Sequence, residues 1–261
     1  MTIALMAVAA LTANAQDIQL HYDFGRNIYP DEEDGRQKVT VTVEQFKADN
    51  WGSWFYFVDL DLSRKFFRSA YTEISREFKF KKTSPFALHL EYDGGLGRDD
   101  IRSFQHAALL GGAYNGHNAD FSKTWSIQLM YKQYFKSYEY TNAYSSFQLT
   151  GVWGLNFAHN KCTFSGFIDF WRGENWRPGH EGHGMLVILT EPQFWYNVTK
   201  NISFGSEIEL SNNFIYNTYN DKSFFINPTV AFKWNFQPKK RLPLGSPFLG
   251  YLITTFFPLR M

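Results

Sequence analysis

The sequence predicts an all-β chain, a transmembrane antiparallel β-barrel of about twelve strands, and three observations carry that expectation. Aromatic residues make up 19% of the chain, with 27 Phe, 15 Tyr and 8 Trp, yet mean hydropathy stays negative at -0.36. A barrel wall reconciles the two: its outer face needs an apolar band between aromatic girdles, and its inner face is polar. From Gln16 to Phe236 the pattern then repeats, with about ten residues of alternating polarity followed by a turn rich in Gly, Asn, Asp, Lys or Pro. Beyond the first residues, no stretch reaches the ~20 apolar residues of a spanning helix, so a membrane would be crossed by strands.

Taken in order, residues 1-15 (MTIALMAVAALTANA) form an apolar run ending in Ala13-Asn14-Ala15. That small-x-small ending reads as a signal peptide cleaved before Gln16. In SWFYFVDLDL, Trp54, Tyr56, Val58, Leu60 and Leu62 share one face, and Phe55, Phe57, Asp59 and Asp61 share the other. Alternate residues of a strand point oppositely, so the first set suits lipid and the second enters the lumen. AYTEISREFKF repeats this with Tyr71, Glu73, Ser75, Glu77 and Lys79 inward, although Arg76 interrupts its apolar face and marks where the strand leaves the bilayer.

Further along, PFALHLEYD sends Phe86, Leu88, Leu90 and Tyr92 outward and His89, Glu91 and Asp93 inward. KTWSIQLMYKQY turns Trp125, Ile127, Leu129 and Tyr131 to lipid, and NISFGSEIELS sets Ile202, Phe204, Ile208 and Leu210 against Ser203, Gly205, Glu207 and Glu209. The last strand ends on Phe232, Trp234 and Phe236, the terminal aromatic alternation that barrel-assembly machinery would engage. Its Pro228 fits only where the ladder tolerates a missing donor. Barrel residues are therefore 16-236, and the Pro-punctuated stretch 237-261 reads as a C-terminal tail outside the barrel. Each strand alone would also suit a soluble half-buried sheet. Their number in succession and their ring-rich ends decide for the barrel.

The formal net charge of +1 offers no electrostatic footprint for nucleic acid. A single cysteine, Cys162, excludes an intramolecular disulfide and a zinc site built of several thiolates. His180-Glu181-Gly182-His183 lacks the helical HExxH spacing and a third ligand, so it reads as a solvated loop, and no metal or cofactor is expected. No G-x-S-x-G element occurs, and His89, His106 and His159 stand by no serine of evident role, so an enzyme is not expected.

The candidate lumen residues are Phe55, Phe57, Asp59, Asp61, Glu73, Asp169 and Trp171. An inward ring costs hydrophobic free energy unless something covers it. Either a solute stacks on these rings or lumen side chains and inward-folded loops pack on them. The carboxylates, equally, are solute contacts or the charges that solvate any polar lumen.

These segments resemble a family. VTVEQFKADNWGSWFYFVDLDL from Val41 is an acidic-aromatic strand running into a Trp-initiated one. AYTEISREFKF carries Glu73, and TFSGFIDFWRGENW from Thr163 has an aromatic-Asp-Trp ending. Together, over residues 17-236, they resemble the nucleoside-specific channel-forming proteins of the Gram-negative outer membrane, the Tsx-like group. The resemblance implies a twelve-stranded monomer in outer-membrane lipid that passes nucleosides through an aromatic and ionisable lumen. Phe55 and Phe57 would stack the base, while Asp59, Glu73 and Asp169 would bond ribose hydroxyls or exocyclic amines. Alternative readings are a channel for another small solute such as an oligosaccharide, a barrel-borne lipid hydrolase, or a closed structural barrel.

Overall fold

A computed structural model describes residues 17–63, 66–98, 103–175, 177, 179–180, 183–217 and 219–236. The expected signal peptide and C-terminal tail lie outside them. The strands are β1 (Asp17–Asp23), β2 (Val39–Ala48), β3 (Gly52–Ser63), β4 (Phe66–Lys79), β5 (Phe86–Gly97), β6 (Ala107–His117) and β7 (Lys123–Tyr134). They continue as β8 (Tyr144–Phe157), β9 (Cys162–Glu174), β10 (Gly184–Thr190), β11 (Gln193–Asn197), β12 (Ile202–Asn212) and β13 (Phe224–Asn235), with one short helix, α1 (Gly25–Ile28), after β1.

Each strand pairs antiparallel with its neighbours in sequence, and β1 pairs with β13 from Asp17↔Asn235 to Asp23↔Thr229, which closes the wall. β10 and β11 are two parts of one crossing. Both pair with β9 on one side and β12 on the other in a single register, interrupted only at Glu191-Pro192. The result is a closed barrel of twelve strands, and a barrel leaves no sheet edge unpaired.

Period-two alternation decides the two faces, as the sequence predicts. Leu20, Leu88, Leu90, Leu110, Ile127, Leu129 and Val230 are exposed on the outer wall. Near one end they give way to Trp54, Phe86, Tyr114, Trp125, Phe194, Tyr196 and Trp234. An apolar surface of this extent is a membrane-facing surface rather than a water-facing one. No described helix is long and apolar enough to cross a membrane.

Short turns join the strands at the girdled end. Asp49 Oδ1 accepts from the Trp51 and Gly52 amides at 2.8 and 2.9 Å to close the β2–β3 turn. Gly52 has φ +155°, and a Cβ there would lie 1.9 Å from the Glu77 carbonyl oxygen. Arg76, the charge that interrupts the apolar face of β4, reaches Asp49 Oδ2 at 2.8 Å and lies over the rings of Trp54 and Phe78. Its hydrogen bond holds the Asp49 carboxyl below the usual carboxylate range. Arg76 is thus tethered to the turn, at the end of the apolar band.

Pro228 sits where the β12–β13 ladder is irregular: rungs run from Gly205↔Ala231 directly to Ile208↔Pro228. Between them the Thr229 hydroxyl accepts from the Glu207 amide at 3.1 Å, and the Ile208 amide turns to the Pro192 carbonyl. The Pro228 carbonyl accepts from the Phe24 amide at 3.0 Å, so the donor that proline lacks would face the chain just past the last β1–β13 rung, Asp23↔Thr229, where the ladder has ended.

Candidate functional site

The lumen divides into a filled side and a hollow side. The filled side is bounded by β1–β3 and β11–β13. Here the inward residues are long and mutually bonded. Gln19 donates to Asp17 Oδ1 and meets His21 Nε2, each at 3.0 Å, and Gln193 donates to Glu207 Oε2 at 2.7 Å while accepting from Trp195 Nε1 at 2.9 Å. Lys233 Nζ stands over the Trp195 ring, 4.1 Å from its centroid. Asp61 accepts from the Thr40 and Ser69 hydroxyls at 2.7 Å each, and Asp59 accepts from Thr42.

The mouth of this side is stopped by the β1–β2 loop, residues 24–38, folded inward. Arg36 is buried and pairs with Asp23 at 3.0 Å and Glu209 at 2.9 Å. Asn227 donates to Glu33 Oε1 at 2.8 Å and Glu209 Oε1 at 3.1 Å. A Cβ on Gly25 would fall 2.5 Å from Asn227 Oδ1, so only glycine lets the loop lie this close. Burial pushes the Glu33 carboxyl up to about 7, against the pull of Arg36 and of the Asn227 amide. Burial opposes the charge on the Arg36 guanidinium, and the Glu209, Asp23 and Glu33 carboxylates around it more than offset that, holding it above its ordinary range.

The hollow side lies against β3–β9. A cavity of about 570 Å³ is lined by Phe55, Phe57, Glu73, Ser75, Glu77, His89, Glu91, Ser126, Gln128, Gln148, Thr150, Phe167 and Asp169, and it reaches Asp49, Asn50 and Lys82 at the turn end. A second of about 150 Å³ lies toward the loops, walled by Tyr71, Glu73, Asp93, Phe104, Gln105, Lys132, Gln148, Asp169, Trp171 and Phe214. Glu73, Gln148 and Asp169 belong to both walls.

Around that shared wall the polar groups are tied to one another. Lys132 Nζ donates to Asp93 Oδ2 and Gln148 Oε1 at 2.8 Å each. His89 lies between Glu77 Oε1 at 3.5 Å and Glu91 Oε2 at 3.0 Å. The Tyr71 hydroxyl donates to Glu73 Oε1 at 2.9 Å, and Thr150 donates to Asp169 Oδ1. Phe104 folds in from the β5–β6 loop against Tyr71, where a Cβ on Gly95 would meet its ring at 2.4 Å.

Five of the seven sequence-predicted residues therefore gather at the cavities: Phe55, Phe57, Glu73, Asp169 and Trp171. Phe55 is half-buried on the wall. Phe57 is 0% exposed, packed between Phe55 and Tyr71 with both centroids at 6.0 Å, so it supports its neighbour's ring. Trp171 meets Phe214 edge-on in the loop-side cavity. Asp59 and Asp61 point into the lumen as predicted but belong to the filled side.

Sequence reasoning did not single out Arg36, Glu33, Glu191, Lys132 or Gln148. Lys132 and Gln148 fall on the inward parity of their strands and were open to that argument. Arg36 lies in a loop, where no periodicity applies.

Among the described residues, one trio, Glu73, Glu91 and Asp93, brings a ligand atom from each within 4.8 Å of the others. The Lys132 ammonium already occupies one side of that trio through Asp93. The His183 amide donates to the His180 carbonyl at 3.1 Å. His89 is held by carboxylates and His106 by the Tyr92 and Tyr138 hydroxyls, so neither is directed at a serine side chain.

A comparison with curated proteins finds no match. Among solved structures, the NanC porin is similar with a TM-score of 0.53 at 10% identity, covering 85% of this chain and 99% of that one. The KdgM porin gives 0.48 at 14% identity, covering 85% and 98%, and LpxR from Salmonella typhimurium gives 0.46 at 10%, covering 84% and 99%. At 10% identity the NanC likeness speaks to the barrel fold alone. The family model described as "Domain of unknown function (DUF5020)" matches residues 15–236, which contain every strand of the barrel, and the chain belongs to that family.

Proposed function

We propose that this chain is a channel of the Gram-negative outer membrane for passive uptake of small polar solutes, with nucleosides as the solute class, in keeping with the Tsx-like resemblance. The observation that carries the reading is the cavity of about 570 Å³ within a closed wall, open toward the turn end and lined by rings and carboxylates together. Twelve strands lie between the side-chain-filled lumen of small barrels and the wide channel of sixteen or more. A pore of that width selects only by binding, and the binding must stay weak enough for release.

Base–aromatic stacking is worth about 1–3 kcal/mol per base, and a millimolar Kd corresponds to about 4 kcal/mol. One ring and two or three hydrogen bonds suffice. Phe55, backed by Phe57, takes the base. Glu73 and Asp169 accept from ribose hydroxyls or exocyclic amines, and Trp171 offers a second ring on the loop side.

Outer-membrane lipid covers the apolar exterior, and a wall that closes within one chain suits a monomer. Residues 1-15 are removed on export, the barrel-assembly machinery engages the strand ending Phe232–Phe236, and residues 237-261 stay outside the barrel. The test is single-channel recording of the refolded mature chain in planar bilayers. Discrete steps interrupted by millimolar nucleoside are expected. Steps indifferent to nucleosides would move the solute to another class, and no steps at all would leave a closed structural barrel.

A further inference from the structure

The chain as a whole is nearly neutral, at +1, yet the wall common to the two cavities is not. Glu73 and Asp169 belong to both cavities, so a solute moving between them passes both carboxylates. Each has one oxygen engaged by a hydroxyl, from Tyr71 and Thr150 respectively. The cation at this level is already committed: Lys132 is fixed to Asp93 and Gln148. The His89 imidazole is held between Glu77 and Glu91. Asp93 is buried, gives Oδ2 to the lysine, and lies with Glu73 and Glu91 in a group whose carboxylate oxygens come within 4.8 Å of one another. Five carboxylates, Glu73, Glu77, Glu91, Asp93 and Asp169, thus stand against two basic groups, Lys132 and His89, while the lysines of the large cavity, Lys79 and Lys82, stand at its turn-end rim.

We infer that the passage discriminates by charge at Glu73 and Asp169, admitting cationic and amine-bearing solutes and turning anions away. The inference rests on the channel reading and adds to it the sign of the charge that crosses. A confined, low-dielectric passage focuses the field of its fixed charges. Two carboxylates that a solute must pass therefore act more strongly than the same charges on an open surface.

The experiment is the reversal potential of the refolded mature chain in a potassium chloride gradient. Potassium is expected to be favoured over chloride by at least about fivefold, the factor one carboxylate at 4 Å supplies even in bulk water. Glu73→Gln combined with Asp169→Asn should bring the reversal potential near zero. Glu191→Gln, which removes a carboxylate from the filled side, should leave it where it was. A wild type that is unselective or prefers chloride, a double variant as selective as wild type, or a loss as large in Glu191→Gln would each overturn the inference with the channel intact. The absence of any conductance would end the channel reading itself, and this inference with it.

Discussion

The two sides of the lumen are built from the same kind of strand with the same alternation, and one is packed while the other is hollow. The difference lies in side-chain volume and in one loop. On the hollow side many inward positions are small, among them Ser75, Ala87, Gly111, Ala113, Ser126 and Thr150, and the loop residues that fold in, Phe104 and Phe214, pack at the loop end against Tyr71 and Trp171. Across the barrel the inward positions are Gln19, His21, Glu44, Gln193, Trp195, Glu207 and Lys233, and the β1–β2 loop is drawn in on top of them by Arg36. A polar inner wall is therefore not in itself a pore. Whether water or a solute enters depends on what reaches across.

The largest test of this contrast removes the latch. Arg36→Ala leaves Asp23, Glu209 and Glu33 facing each other without their cation, and breaking a buried ion pair from one side costs about 3–5 kcal/mol. The expected result is an equal fall in unfolding free energy in detergent, with faster hydrogen exchange across residues 24–38. Unchanged exchange there would mean that the loop is held by something other than the guanidinium.

Glu33 supplies a pH handle on the same loop. Its carboxyl rises from 4.5 to about 7 on folding, so between those values the folded state holds a proton that the unfolded state has released. The contribution to stability is full below pH 4.5, falls as pH rises through about 7, and amounts to about 3 kcal/mol at most. Loop protection measured by hydrogen exchange should decline over that window, and Glu33→Gln should flatten the profile.

Glu191, at the β10–β11 interruption, is 0% exposed, and neither carboxylate oxygen has a hydrogen-bond partner. Replacing a buried unsatisfied polar group by an apolar one of similar shape removes a penalty of about 1–3 kcal/mol. Glu191→Met should stabilise the barrel by that order in chemical denaturation, and a destabilised variant would show that the carboxylate has a partner in solution. On the hollow side, Phe55→Ala should weaken nucleoside block of the conductance by about tenfold, within the 1–3 kcal/mol of one stacked base. An unchanged block would move the binding ring elsewhere, Trp171 being the next candidate.

Much of this was legible in the chain. The strand faces follow from period two, so the inward placement of Phe55, Asp59, Glu73, Asp93 and Glu209 could be read without coordinates. The side of the lumen each residue joins could not be, because that depends on which strand lies opposite across the barrel. Asp59 and Phe57 are two apart on the same face of β3, yet one bonds Thr42 on the filled side and the other lines the cavity. Loop residues escaped altogether: Arg36 and Phe104 have no periodicity to betray them, and the glycines that make room in these loops, Gly25 for Asn227 and Glu33 and Gly95 for Phe104, show their role only once the approaching side chain is in view.

The contrast between the two sides is tested most directly by thiol accessibility. In a Cys162→Ser background, Gln148→Cys and Asp61→Cys would each be exposed to a membrane-impermeant cationic thiol reagent, with and without Arg36→Ala. The account predicts fast labelling at 148 in both backgrounds, and labelling at 61 only once the arginine is gone. Equal labelling at both positions with Arg36 in place would contradict it.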